Sequence, residues 1–272
     1  MRAHTAMNSI KYLMALIYFD ARRFLASTST KSPSFRRSVQ ESSNYDLRSV
    51  MKTFHKNGFV VIPNYWPEEK CSTLVKELDA LFSVASICNV LNDDIRIYDT
   101  QNHSKIAYTF FSDEQLKQIS KLATGLNLKN YGSMANRVDP RKSHLGSGGD
   151  WHRDSNYSQF KTLIYLTEVS EVDDGAFQII RKTNGVLCVL RSNLKVRKKL
   201  TETRWTNSEI EKRGSKYKIS TVTGKAGSLV IFDTSNLHRG APNRNKSRYA
   251  LTNYYYSNLT HQQYGQKVEN AK

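Results

Sequence analysis

The second half of this 272-residue chain is written as short strands separated by turn residues, and that grammar restricts its fold more than any other feature. The runs 133–138, 161–167, 177–180, 217–223, 228–232 and 248–256 are each short enough for a β-sandwich, with β-branched and aromatic residues inside them. Asp139-Pro140, Asp173-Asp174-Gly175, Gly224-Lys225 and Ala241-Pro242-Asn243 supply the breaks. Ahead of them the spacing is helical. Leu47, Val50, Met51 and Phe54 stand at i, i+3, i+4 and i+7, which predicts an amphipathic helix stopped by Asn57-Gly58. A short strand over 59–62 follows, then a helix opened by Pro67 and striped by Leu74, Leu78, Leu81 and Phe82. A third helix is expected from Ser112, with Gln115 at capping-box spacing and Gly125 as its stop. Helices followed by many short strands predict a mainly β fold with supporting α-helices, a jelly roll, and no internal repeat is present.

The chemistry concentrates around Trp151-His152-Arg153-Asp154. Residues two apart on a strand face the same way, so a strand starting at His152 would present its imidazole and the Asp154 carboxylate on one side. A third ligand is available in His238, just beyond the apolar run Val230-Ile231-Phe232. Two histidines and a carboxylate on one face of a metal leave three positions open, the arrangement of non-haem Fe(II) oxygenases. Arg248 follows ten residues after His238, at the head of Arg248-Tyr249-Ala250-Leu251-Thr252. Its planar fork suits a carboxylate held bidentately.

From about Leu47 to Tyr256 the sequence resembles the phytanoyl-CoA dioxygenase family of Fe(II)/2-oxoglutarate-dependent oxygenases. The matching stretches are Gly58-Phe59-Val60-Val61-Ile62-Pro63, Trp151-His152-Arg153-Asp154, Leu163-Ile164-Tyr165-Leu166, Asp174-Gly175-Ala176-Phe177, and His238 with Arg248. The resemblance implies a double-stranded β-helix, the cupin-like jelly roll, in which His152, Asp154 and His238 bind Fe(II) and Arg248 holds 2-oxoglutarate. It implies consumption of O2, hydroxylation of a small organic substrate, and release of succinate and CO2; related halogenases lack the carboxylate that Asp154 supplies. Many members place a small hydroxyl residue where this chain has Gly240, and Gly-Pro where it has Gly175-Ala176. The second anchor for 2-oxoglutarate is therefore unassigned. Trp151, Arg153, Asn136 and Tyr165 are candidate linings of a substrate pocket. The competing reading is a non-catalytic cupin-like module that binds a metal or ligand and turns over nothing.

The formal charge of +17 raises the local concentration of anions, so an acidic small-molecule substrate is expected. No helix-turn-helix, finger or aromatic-basic pattern is present, and nucleic acid is not an expected partner. Cys71, Cys88 and Cys188 show no paired metal spacing, which fits a reducing compartment and a cytoplasmic location. Residues 1–43 read as an extension, either a packed helix with a linker or an Arg- and Ser-rich organelle-targeting segment. Its apolar stretch is too short to span a bilayer, which takes roughly 20 residues. The oxygenase domain is expected over 44–260 with a tail over 261–272, and residues 181–218 form a basic insertion with twelve Lys or Arg against three Glu. An insertion of this length is either a lid or a solvated charged segment. The sequence does not specify an oligomeric state.

Overall fold

A computed structural model describes residues 2–29, 45–91, 94–140, 150–212 and 217–261. The linker at 30–44, the glycine-rich approach Gly146-Ser147-Gly148-Gly149 to His152, residues 213–216 of the insertion and the tail beyond 261 lie outside the described residues.

Helix α1 (Arg2–Ser29) is followed by α2 (Leu47–Asn57), β1 (Phe59–Ile62) and α3 (Glu68–Phe82). Next come a hairpin of β2 (Cys88–Leu91) and β3 (Asp94–Tyr98), and two helices, α4 (Lys105–Phe111) and α5 (Glu114–Thr124). The strand-rich half contains β4 (Lys129–Val138), β5 (Trp151–His152), β6 (Phe160–Tyr165) and β7 (Phe177–Ile180). Within the insertion lie α6 (Val186–Lys195), β8 (Arg204–Trp205) and α7 (Asn207–Glu211), and the chain closes with β9 (Ile219–Val222), β10 (Leu229–Asp233), β11 (His238–Gly240) and β12 (Arg248–Tyr256).

Two antiparallel sheets face each other. The larger runs β1-β10-β6-β12-β4-β3-β2 and the smaller β8-β5-β11-β7-β9. Apart from the consecutive strands β2, β3 and β4 at one edge of the larger sheet, neighbours are distant in sequence, the crossed connectivity of a jelly roll, as expected. The outer face of the large sheet is covered by helices: Val50, Met51 and Phe54 of α2, Leu74 and Leu78 of α3, and Leu116 and Ile119 of α5 form one core with Phe160, Ile164, Ile231 and Leu251. A second core lies between the sheets, built from Phe59, Leu163, Tyr165, Phe177, Ile179, Val230, Phe232 and Ala250. The helices thus fix the large sheet from behind and leave its inner face to the smaller sheet.

The local grammar explains most boundaries. The buried residues of α2 are Leu47, Val50, Met51 and Phe54, the four that the spacing selected. Strands β7 and β12 have the expected bounds, whereas β4 begins earlier, at Lys129, and β9 is shorter. The third expected helix starts later than Ser112, because Asp113 caps it by accepting from the Gln115 and Leu116 amides. The hairpin β2–β3 and α4 were not expected. In the insertion, β8 pairs with β5, so the segment extends the smaller sheet as well as adding helices. Helix α1 packs on the domain through Leu16 and Phe19, with Phe19 stacked on Tyr157 at 4.8 Å. Among the described residues no helix is long and apolar enough to cross a membrane.

One glycine joins the helical layer to the strands. Gly58 ends α2 with φ +81°, a left-handed conformation, and a Cβ there would lie 2.4 Å from Asn236 Nδ2. Gly58→Ala therefore carries backbone strain of about 1–3 kcal/mol and also displaces Asn236. Thermal unfolding should show a Tm lowered by several degrees, and an unchanged Tm would contradict this contact.

Candidate metal centre

Strands β5 and β11 are antiparallel neighbours with His152 directly opposite His238. Cross-strand partners share a face, so both imidazoles point between the sheets, with ring centroids 4.4 Å apart. His152 Nδ1 donates to the Asp150 carbonyl at 2.7 Å, and His238 Nδ1 donates to the Asn236 carbonyl at 2.9 Å. A carbonyl can only accept, so each Nδ1 carries the proton and each Nε2 offers its lone pair to the interior. Asp154 brings its carboxylate to the same point, with Oδ2 3.6 Å from His238 Nε2. One atom from each of His152, Asp154 and His238 falls within 4.8 Å of the others. Burial drives the His152 pKa down to about 4 and that of His238 to about 3, the latter with a further contribution from His152. Both rings are therefore neutral at pH 7, the form in which imidazole ligates a metal.

The backbone around these three residues is cross-linked by buried polar groups. The Asp154 amide donates to the Thr234 carbonyl at 3.2 Å, tying the β5 end to the turn that leads into His238. Within that turn Asp233 accepts from the Ser235 amide at 3.0 Å and hydroxyl at 2.7 Å, from the Gln159 amide at 3.2 Å, and from Asn184 Nδ2 at 3.0 Å. Asn236 Oδ1 accepts from the Thr183 and Asn184 amides at 3.0 and 3.1 Å. Arg153 is the clasp: its Nε donates to the Ser235 carbonyl and its Nη2 to the Thr183 carbonyl, both at 2.8 Å.

The cleft in front of the triad is lined by Phe177, Phe232, Leu163 and Thr252, together with Arg248, Lys161, Arg96 and Asn136. Arg248 is 8% exposed; its Nη1 donates to the Gly175 carbonyl at 2.6 Å, and its buried Nε has no hydrogen-bond partner among the described residues. Gly240 leaves room beside it, because a Cβ there would stand 3.8 Å from Arg248 Nη1. Of the four candidate pocket residues only Asn136 lines the cleft, hydrogen-bonded to Asp94 at 3.1 Å. Trp151 and Arg153 alternate with His152 and Asp154 and so turn to the far side, where Trp151 packs with Trp205 and Leu237 and also carries the Arg239 guanidinium on its ring. Tyr165 is fully buried and occupied, donating to the Val222 carbonyl and accepting from the Phe177 amide.

A family model matches residues 54–250, and it is that of phytanoyl-CoA dioxygenase. The chain belongs to the phytanoyl-CoA dioxygenase family. No curated protein matches it significantly. Among solved structures it is similar to HygX from Streptomyces hygroscopicus, solved with nickel and 2-oxoglutarate bound, at 15% identity and TM-score 0.59 over 78% of this chain and 87% of that one. It is also similar to EctD from S. alaskensis, solved with 2-oxoglutarate and 5-hydroxyectoine, at 17% identity and TM-score 0.58 over 80% of each chain. A third is the α-ketoglutarate-dependent epimerase SnoN of nogalamycin biosynthesis, at 12% identity and TM-score 0.56 over 78% and 82%. In this phytanoyl-CoA dioxygenase family member, sequence reasoning overlooked Lys161, Arg96 and Asp94 in the cleft. The available signal was a lysine inside the apolar run Phe160-Lys161-Thr162-Leu163-Ile164-Tyr165, every residue of which is buried.

Arg153→Met should lower stability by about 2–3 kcal/mol, since hydrogen bonds from a charged group to buried carbonyls are lost. It should also weaken divalent-metal binding about tenfold by loosening the turn that aims His238. Thermal unfolding and Ni(II) titration check the pair; a stable variant with unchanged Ni(II) affinity would show that Arg153 is no clasp.

Proposed function

We propose that this protein is an Fe(II)/2-oxoglutarate-dependent dioxygenase that hydroxylates a small anionic substrate and releases succinate and CO2. His152, Asp154 and His238 fit the metal by donor chemistry: two neutral imidazoles with their tautomers set, and one buried carboxylate. Iron held there would supply oxygen activation coupled to oxidative decarboxylation of 2-oxoglutarate.

The observation that carries the reading is the placement of Arg248 relative to the triad. Gly240 lies two residues beyond His238 on the same face of β11, roughly 7 Å along the strand at about 3.3 Å per residue. Arg248 Nη1 stands beside Gly240, at 3.8 Å from where its Cβ would be. A five-carbon dicarboxylate lying along β11 would therefore reach from the Arg248 guanidinium to the triad. The buried Arg248 Nε, without a partner among the described residues, is available to a bidentate grip on that carboxylate. Phe177 and Phe232, with ring centroids 5.7 and 5.6 Å from that of His238, exclude water from the metal end. The chain's own work is to grip, orient and keep dry. An acidic substrate is supported by the cations of the cleft, and Asp154 supports hydroxylation over halogenation. The EctD structure holds 5-hydroxyectoine with 2-oxoglutarate, while SnoN is an epimerase, so reaction type is the finer part of the proposal.

Anaerobic addition of Fe(II) and 2-oxoglutarate should produce the weak visible charge-transfer band of the chelate, and His152→Ala should abolish it. Arg248→Ala should weaken 2-oxoglutarate binding more than tenfold, above about 1.4 kcal/mol, with Fe(II) affinity in the absence of co-substrate nearly unchanged. Arg248→Lys should restore only part, since a point charge lacks the planar fork. Equal loss of both affinities in a folded Arg248→Ala protein would overturn the role given to this residue.

A further inference from the structure

Lys161 occupies a position that a sheet interior seldom grants a lysine. It sits in β6, whose six residues are all buried, and is itself 5% exposed. The register sets it opposite Phe232 on one side and Tyr254 on the other, so it faces between the sheets with the inner row of the cleft. Its Nζ lies 4.3 Å from the centre of the Tyr254 ring and 2.6 Å from Asp154 Oδ2. That same oxygen faces His238 Nε2 at 3.6 Å. The ammonium and a metal ion held by the triad thus draw on one carboxylate. A buried ammonium demands charge compensation, and Asp154 provides it while no metal is bound.

We infer that Lys161 is a metal-dependent carboxylate anchor: it neutralises Asp154 in the metal-free protein, and once a divalent cation claims that charge it pairs with the metal-side carboxylate of a bound 2-oxo acid. This rests on the Fe(II)/2-oxoglutarate reading and extends it. Arg248 and Lys161 then hold the two ends of one dicarboxylate, and the site admits the acid after the metal. The departure at Gly240, where a hydroxyl would assist Arg248, is offset at the opposite end of the ligand. The structure accordingly makes Lys161 a binding residue whose availability depends on the occupancy of the triad.

The test uses Ni(II), which does not turn over, with the full-length wild-type, Lys161→Met and Lys161→Arg proteins. Calorimetry should show that Lys161→Met binds Ni(II) as tightly as wild type or more so, because Asp154 has lost its competing cation. Ni(II) should accordingly raise the Tm of Lys161→Met by more than that of wild type. Binding of 2-oxoglutarate to the Ni(II)-loaded variant should weaken at least tenfold, and Lys161→Arg should recover part of that loss. The opposite signs of the two effects set this role apart from simple support of the fold, which would lower both affinities together. The inference is overturned if Lys161→Met keeps 2-oxoglutarate affinity within twofold, or loses Ni(II) and 2-oxoglutarate in parallel. A wild-type protein that binds Ni(II) but no 2-oxoglutarate would instead overturn the co-substrate reading, and this inference with it.

Discussion

The pairing of His152 with His238 across β5 and β11 is the constraint on which the site depends. Two short strands, of two and three residues, carry it, and strands so short do not hold register by themselves. The register is imposed by buried polar groups in the flanking turns. Arg153 binds the carbonyls of Ser235 and Thr183, Asp233 gathers amides and hydroxyls from three segments, and Asn236 caps the amides of Thr183 and Asn184. Each of these groups would be costly to bury alone, and together they satisfy one another. The turn before His238 is therefore densely cross-linked, which fixes the orientation of both imidazoles.

Charge follows a similar logic across the cleft. The net +17 is not confined to solvent: Arg96, Lys161 and Arg248 all line the interior. Arg96 is compensated by Asp94, 2.5 Å away and 3% exposed, and Lys161 by Asp154. Among the described residues Arg248 pairs with no acid and donates to the neutral Gly175 carbonyl. A cleft in which, among the described residues, one guanidinium has no acid beside it carries an excess of positive charge and favours an anion. The basic insertion reaches this region through β8, where Arg204 stands opposite His152 and helps to depress its pKa.

Much of this was legible in the sequence because it is local. Helical spacing in α2 and turn residues between strands are properties of neighbouring residues, and they predicted the jelly roll. The grouping of His152, Asp154 and His238 leaned on the family resemblance as well, and the strand expected to start at His152 ends there instead. The misses are of two kinds. The β2–β3 hairpin and α4 carry weak periodicity, and pairing with β4 rather than local pattern stabilises β3. Trp151, Arg153 and Tyr165 were named as candidate pocket linings. Alternation places Trp151 and Arg153 behind the sheet, and Tyr165 spends its hydroxyl on Val222 and Phe177. Lys161 was visible as a lysine inside the apolar run of β6, but its pairing with Asp154 was not, because the two meet only in the folded protein.

Whether the centre turns over or only binds is decided by 2-oxoglutarate itself. Wild-type protein reconstituted with Fe(II) should convert 2-oxoglutarate to succinate under air, slowly and without added substrate, and should form none under anaerobic conditions or as His238→Ala. A folded, Fe(II)-loaded protein that binds 2-oxoglutarate yet yields no succinate in air with any acidic substrate supplied would contradict the account and leave a metal-binding jelly roll without catalysis.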